Sequence, residues 1–230
     1  GIIGTTVRLN VSRTDDLRWK GPPDMGQNNT ARDLGLLALR TAVGGALAFH
    51  GAQKLFGAFG GGGLDATAQG FESMGFAPGK PNAALAGAGE LAGAALALGA
   101  ATPLAAAGGV GAMLVAAEVH RPQGFAAQSG GNEYPITLGV AAAALALTGP
   151  GKYSVDHLLG DRLNKPWLAA LALGGAVAGG AVTIARRNAA LAQAEAVSQE
   201  IEDEAAEGDF LLGDYDPETG TNDGADKLIK

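Results

Sequence analysis

The sequence contains no cysteine among its 230 residues. Disulfide bonds, thiolate-bound metals and thiol redox chemistry are therefore excluded for this chain, because each of them needs a thiol. Aromatic residues are also scarce, at 5% of the chain. Charge is nearly absent from one long stretch, since residues 82–150 contain only Glu90, Glu118, Glu133 and Arg121. Segments with so little charge cannot form the solvated faces of soluble helices.

The formal net charge of −7 is unevenly distributed along the chain. Residues 188–230 hold twelve acids and two lysines, so the rest of the chain is slightly basic. The acidity therefore belongs to a solvated tail that repels other anions, and we expect no nucleic-acid partner. We expect this tail to be mostly disordered. The last apolar helix is expected to continue past Asn188 before the disordered part begins.

Long apolar segments occupy most of the chain, and about 20 helical residues are enough to cross a bilayer core of about 30 Å. A polar segment, residues 1–32, precedes the first of them. The apolar runs cover residues 33–56, 82–101, 104–119, 135–148 and 166–185. A soluble Ala/Gly-rich bundle would need a polar stripe on every helix, which the second and fourth runs lack. The sequence thus predicts an all-α integral membrane four-helix bundle plus a fifth transmembrane helix, residues 166–187, which begins beside Trp167 and ends in two arginines.

Basic residues near the predicted membrane surfaces indicate the orientation, because cytoplasmic loops carry an excess of Lys and Arg. The side on which the first helix begins has eight of them, and the opposite side has four. The eight are Arg8, Arg13, Arg18, Lys20, Arg32, Lys152, Arg162 and Lys165; the four are Lys80, Arg121, Arg186 and Arg187. We therefore predict a cytoplasmic N-terminus and, after five spans, an extracytoplasmic acidic tail.

Glycines recur at a spacing of four residues in two of the predicted spans. The pairs are Gly89 and Gly93 in the second span and Gly175 and Gly179 in the fifth. Small residues at this spacing let helix backbones approach closely in a membrane, where lipid offers no hydrophobic drive between helices. We expect both pairs to be packing positions.

Polar side chains interrupt the apolar runs near the outer membrane surface of this topology. His50, Gln53 and Lys54 are spaced i, i+3 and i+4, so they share one face of the first helix. Glu90 lies about 12 Å below the start of the second span at 1.5 Å per helical residue. An ionisable group at that depth is costly and usually faces a partner or a cavity. We therefore expect Glu90 to contact Lys54 or His50.

Glu118 and His120 end the third span at the same membrane surface. Both can be ordinary interfacial residues, and Lys54 can simply extend to the headgroups. Arg40 is expected to extend to the inner surface in the same way. For Glu90 two interpretations stay open, a structural ion pair and a proton-handling site. No close-spaced ligand pair such as H-x-x-x-H accompanies these residues, so we predict no metal site.

Four stretches of this chain resemble the DoxX family of small bacterial membrane proteins. They are LRTAVGGALAFHGAQKLFGAFGG, FESMGFAPGKPNAALAGAGELAGAALALGAATPLAA, AMLVAAEVHRPQGF and LALTGPGKYSVD, and together they lie within residues 33–156. The most specific part is H-G-x-x-K-x-F-G, which begins at His50, together with G-E-x-x-G-A around Glu90. The Ala/Gly-rich, cysteine-free composition is similar to that of actinobacterial members.

The resemblance implies a four-helix membrane domain over residues 33–156, a multi-pass location in the bacterial plasma membrane and a redox-associated role. Family members include quinone-linked thiosulfate-oxidising membrane subunits and mycobacterial proteins associated with a membrane oxidoreductase complex. The resemblance implies functional positions at His50, Lys54, Glu90, Glu118, His120 and Asp156. The fifth helix and the acidic tail, residues 188–230, lie outside the family core, and without cysteine this chain cannot itself transfer sulfur.

Two functions are compatible with these features. The first is a membrane subunit of a redox complex, whose polar residues bind a quinone or pass protons while a protein partner supplies the redox centre. It needs no covalently bound cofactor. The alternative is a non-catalytic assembly protein that recruits a basic partner through its acidic tail, with the polar residues only ordering the bundle.

Overall fold

The structure, a computed structural model, describes residues 29–212 together with Tyr215–Asp216 and Thr221–Asn222. Within this part of the chain there are eight α-helices and one short antiparallel strand pair. The helices are α1 Asn29–Phe56, α2 Gly63–Ser73, α3 Gly79–Leu91, α4 Gly93–Leu98, α5 Thr102–His120, α6 Glu133–Thr148, α7 Val155–Leu158 and α8 Pro166–Leu212. The strands are β1 Tyr215–Asp216 and β2 Thr221–Asn222.

Three helical stretches are long and apolar enough to cross a membrane, Thr30–Phe56, Thr102–Gln123 and Pro166–Ala205. The second predicted span is formed by α3 and α4, which are joined at Ala92 with right-handed helical backbone. The fourth is the shorter apolar helix α6. The predicted all-α membrane bundle is confirmed, and the chain is a multi-pass membrane protein.

The two ends of the bundle are named here by the residues found there. At the His50 end, α1 and α5 finish and α3 and α6 begin. At the Asp156 end, α4 finishes, α5 begins, α6 finishes and α8 begins. The orientation of these ends in a cell, with the His50 end outside, remains the prediction made from the basic residues.

The hydrophobic core lies where α1, α4, α5 and α6 meet. Leu47, Leu96 and Leu145 are fully buried there, one each from α1, α4 and α6. Met113 of α5 completes this cluster. The helix α8 packs on α5 from outside, and most of its own side chains are exposed. The fifth span is therefore an addition to a four-helix core.

Glycines let helix backbones come into close contact, α1 with α3 and α4, and α3 with α5. A Cβ atom added to Gly44 would overlap the carbonyl oxygen of Gly93. A Cβ added to Gly89 would come within 2.8 Å of the Gly108 carbonyl oxygen of α5. The packing role predicted for Gly89 and Gly93 is confirmed. The one predicted for Gly175 and Gly179 is wrong, because a Cβ added to either would meet no atom within 4 Å.

The helix α8 is much longer than a membrane span. Its 47 residues reach about 70 Å at 1.5 Å per residue, more than twice a bilayer core of about 30 Å. Residues 188–212 continue the transmembrane helix without a break. This continuation agrees with the expectation that the helix extends past Asn188. The remainder of the tail lies outside the described residues, apart from β1 and β2.

Arg40 holds the Asp156 end of the bundle together. It is only 2% exposed, and its guanidinium donates hydrogen bonds to the carbonyls of Ala97, Pro150 and Tyr153. The expectation that Arg40 extends to the membrane surface is therefore wrong. The side chain instead donates to a carbonyl in the last turn of α4 and to two carbonyls that follow α6, where helix ends leave such groups unpaired.

Candidate functional site

Lys54 and Glu90 form an ion pair between α1 and α3 near the His50 end. The ammonium nitrogen Nζ lies 2.9 Å from Oε1 and 2.6 Å from Oε2 of the carboxylate. Glu90 is 3% exposed, whereas the Lys54 side chain is 29% exposed. The helices can come this close because Gly51 has no side chain. A Cβ atom at this position would overlap the Leu91 backbone. The expected contact of Glu90 with α1 is confirmed, and Lys54 is the partner.

His50 connects α1, the helix that carries Lys54, to α6. Its Nδ1 lies 3.2 Å from Oε1 of Gln53, and its Nε2 lies 3.3 Å from the hydroxyl of Tyr134. An amide oxygen only accepts, so this arrangement puts the ring proton on Nδ1 and lets Nε2 accept from the tyrosine. Tyr134 was not among the residues singled out from the sequence. The one available signal was a hydroxyl-bearing aromatic residue directly before a predicted span.

The residues His50, Gln53, Lys54, Glu90 and Tyr134 are together called the polar cluster. They come from α1, α3 and α6. Among them are a cation, a carboxylate, an imidazole and a phenol, and thus both donors and acceptors of protons. In a bilayer such groups are expensive unless they face one another or a cavity.

Aromatic side chains border the polar cluster. The rings of Phe49 and Phe59 stack with centroids 4.9 Å apart, and Phe49 meets the edge of the His50 ring at 5.6 Å. Phe59 has φ 53°, which is uncommon for a residue with a side chain, and it is 70% exposed. Strained backbone of this kind concentrates at functional sites. The exposed pair offers a flat apolar surface beside the polar groups.

The remaining sequence candidates at this end lie outside the polar cluster. Glu118 pairs with Arg121 at 2.9 Å, and the Nδ1 of His120 lies 2.8 Å from the Gly130 carbonyl oxygen. Glu133 accepts from the backbone N–H of Ala127. These contacts order the connection between α5 and α6. The structure therefore places Glu118 and His120 in a loop-supporting set, separate from Lys54 and Glu90.

Asp156 lies at the other end of the bundle. Its carboxylate accepts from the backbone N–H groups of Ala101 and Thr102 at 2.8 and 2.9 Å, and its own N–H donates to Gly99. The carboxylate thus caps the start of α5 from a distant part of the chain, where the helix dipole favours negative charge. This geometry gives Asp156 a packing role, remote from the polar cluster.

A second lysine–carboxylate pair joins α2 to the start of α3 at the surface of the protein. Lys80 donates to Asp65 at 2.8 Å, with side chains 65% and 81% exposed. The hydrogen bond and the positive charge of Lys80 lower the pKa of the Asp65 carboxyl group. Water and salt screen such a pair, which makes it the solvent-exposed counterpart of Lys54 and Glu90.

Neither a metal site nor a deep cavity accompanies the polar cluster. Over the described ranges, no group of three or more His, Asp or Glu side chains is arranged to hold a metal ion. A groove of about 360 Å³ lies between α3, α5 and α8, and neither Lys54 nor Glu90 lines it. The polar cluster is reached instead from the side of the bundle, through the exposed rings of Phe49 and Tyr134.

A comparison with protein-family models finds a match that lies within the first three spans and the loops between them. The DoxX family model matches residues 35–122. This range contains His50, Gln53, Lys54, Glu90, Glu118 and His120 but ends before Tyr134 and Asp156. No curated protein and no solved structure matches the chain.

Proposed function

We propose that this chain, whose residues 35–122 match the DoxX family model, is a DoxX-like membrane subunit of a redox-associated, quinone-linked complex. In this proposal the polar cluster exchanges protons with a quinone headgroup at the His50 end. A protein partner in the same complex carries the redox centre. The observation that supports the proposal best is the Lys54–Glu90 ion pair between two spanning helices.

An ion pair at this depth is a costly way to join two helices. Well-packed apolar residues of similar volume often hold such a position equally well or better. The pair also lies beside an imidazole and a phenol that hydrogen bond to each other. A purely structural pair has no need of these neighbours, whereas proton transfer needs groups that can both give and accept protons.

Reduction of a quinone to a quinol takes up two electrons and two protons. The Lys54 ammonium and the Tyr134 hydroxyl are suited to hydrogen bond the two carbonyl oxygens of the headgroup. Glu90 and His50 are suited to relay the protons, because carboxyl and imidazole groups act as general acids and bases in proteins. The electrons come from the partner's redox centre. The stacked rings of Phe49 and Phe59 provide a flat apolar surface for the headgroup.

The experiment is to purify the full chain from its own membranes in mild detergent and measure retained quinone per polypeptide by mass spectrometry. Glu90→Gln and His50→Ala test the polar cluster. Glu118→Gln is the matched control, because it makes the same chemical change at the same end but outside the cluster. We expect both cluster variants to retain at least tenfold less quinone than the control. Equal retention in all three variants would overturn the proposal.

A second function, recruitment of a basic partner, is favoured by one observation. Beyond Arg187, α8 continues as a helix whose exposed acids are Glu195, Glu200, Glu202, Asp203 and Glu204, with no base among residues 188–205. A continuous helix with acidic side chains is complementary in charge to a basic protein surface. The full chain and a chain ending at Arg187 are compared for co-purifying proteins. A basic partner that is lost with the tail and released by salt supports recruitment, and unaltered association contradicts it.

A further inference from the structure

A groove lies between α3, α5 and α8 in the part of the chain that the structure describes. Its volume is about 360 Å³, within the usual range for small-molecule sites. Its walls are alanine, glycine, leucine and valine with Phe71 of α2, and the two polar residues, Asn82 and Thr183, both lie toward the His50 end. Each of these two already hydrogen bonds to its own helix turn. The groove therefore presents only hydrocarbon and satisfied polar groups.

The helix α8 contributes the floor of this groove with Gly175 and Gly179. A Cβ atom on either glycine would meet no atom within 4 Å, unlike one on Gly180, which would press on Leu114. These two glycines are consequently not used for packing inside the chain. In a bilayer an open apolar recess is filled, because empty space forfeits the dispersion contacts that its walls would otherwise make.

The length of the groove matches one lipid leaflet. Along α8 it runs from Ala172 to Thr183, about 16 Å at 1.5 Å per residue. Half of a bilayer core of about 30 Å is about 15 Å. A transmembrane helix of a partner would need a seam of about twice that length. The dimensions favour a single flexible chain over a helix.

Two arginines stand at the polar mouth of the groove. Arg186 and Arg187 follow Thr183 by three and four residues and so lie on its face of α8. The Nε of Arg187 donates to the Met74 carbonyl at 2.8 Å, and its guanidinium lies 5.5 Å from the Phe76 ring centroid. Among residues 30–205, whose side chains the structure describes, no carboxylate lies within ion-pair distance of either arginine.

The nearby acids are already bound. Glu72 accepts from the Gly79 N–H, and Asp65 pairs with Lys80. We propose that the groove binds one acyl chain of an anionic phospholipid from the leaflet at the His50 end, with the lipid phosphate at Arg186 and Arg187. Basic side chains at the end of a transmembrane helix attract anionic headgroups in this way.

The test is native mass spectrometry of the delipidated full chain, titrated with phosphatidylglycerol or with phosphatidylcholine of the same acyl chains. Gly179→Leu places a side chain in the groove, and its Cβ would meet no atom within 4 Å. Gly174→Leu is its matched control, because a Cβ there also meets no atom and the residue does not line the groove. Leucine is a better helix former than glycine, so both variants keep α8 helical. Arg186→Gln tests the headgroup contact.

We expect Gly179→Leu to weaken binding of both lipids at least tenfold and Gly174→Leu to leave it unchanged. Arg186→Gln should reduce the preference for phosphatidylglycerol about fivefold, the effect of one basic residue near a membrane surface. Equal binding by the two leucine variants would overturn the proposal. So would a dimer that Gly179→Leu converts to monomer without any change in lipid binding, because the occupant would then be a second copy of the chain.

Discussion

Replacing Lys54 with methionine leaves the Glu90 carboxylate buried without the ammonium that binds both of its oxygens. The reverse change, Glu90→Gln, leaves a lysine whose side chain is already 29% exposed. That lysine can extend to the headgroups, whereas the carboxylate, 3% exposed on α3, cannot. The two single substitutions should therefore differ in their effect on stability, although they break the same ion pair.

The magnitudes follow from burial. Breaking a fully buried pair destabilises by about 3 to 5 kcal/mol, and the partial exposure of Lys54 puts Lys54→Met at the low end, about 3 kcal/mol. Glu90→Gln keeps an accepting oxygen and should cost about 1 kcal/mol. The double substitution leaves no charge and should also cost about 1 kcal/mol. Because the single effects are not additive, the coupling between the two residues is about 3 kcal/mol.

The assay is reversible unfolding of the full chain in mixed micelles, followed by helical circular dichroism. Lys80→Met is the control, because it removes the same cation from the solvent-exposed pair with Asp65. The control should leave the unfolding midpoint unchanged. If Lys54→Met costs no more than Glu90→Gln, or if the single effects add up in the double variant, the buried ion pair described here is not what holds α1 to α3.

Three further outcomes are expected in the same unfolding assay. Arg40→Met leaves three carbonyls without their donor and should cost about 3 kcal/mol; an effect below about 1 kcal/mol would show that these bonds are not stabilising. Asp156→Asn weakens the cap of α5 and should cost about 1 kcal/mol, and no change would contradict the capping role. Gly44→Leu should prevent the native packing of α1 against α4, whereas Gly45→Leu, where a Cβ meets no atom, should be neutral; similar behaviour of the two would argue against close helix approach.

The helices of this protein were predictable from the sequence because charge is so scarce in the spans. The contact of Glu90 with α1 was also predictable, since depth and the i, i+4 spacing of His50 and Lys54 place all three at one level. Tyr134 could not be found in this way. Its position depends on the rotation of α6, which the loop after Arg121 sets through its own hydrogen bonds.

The interactions at the Asp156 end could not be predicted from the sequence, for a related reason. Arg40 binds carbonyls 57, 110 and 113 residues away, and periodicity carries no information about pairings at such separations. The same limit applies to Gly175 and Gly179. Their spacing is that of a packing pair, but whether a neighbouring helix covers them depends on how α8 lies against α5.

The central claim is that Glu90 takes part in proton exchange with a quinone. The most direct measurement is infrared difference spectroscopy of the full chain in lipid, exchanged between menadione and its quinol. We expect a difference band in the carboxyl stretching region that is present in the wild-type chain and in Glu118→Gln and absent in Glu90→Gln. A spectrum without any carboxyl band, or one whose band persists in Glu90→Gln, would contradict it and leave Lys54 and Glu90 as a structural ion pair.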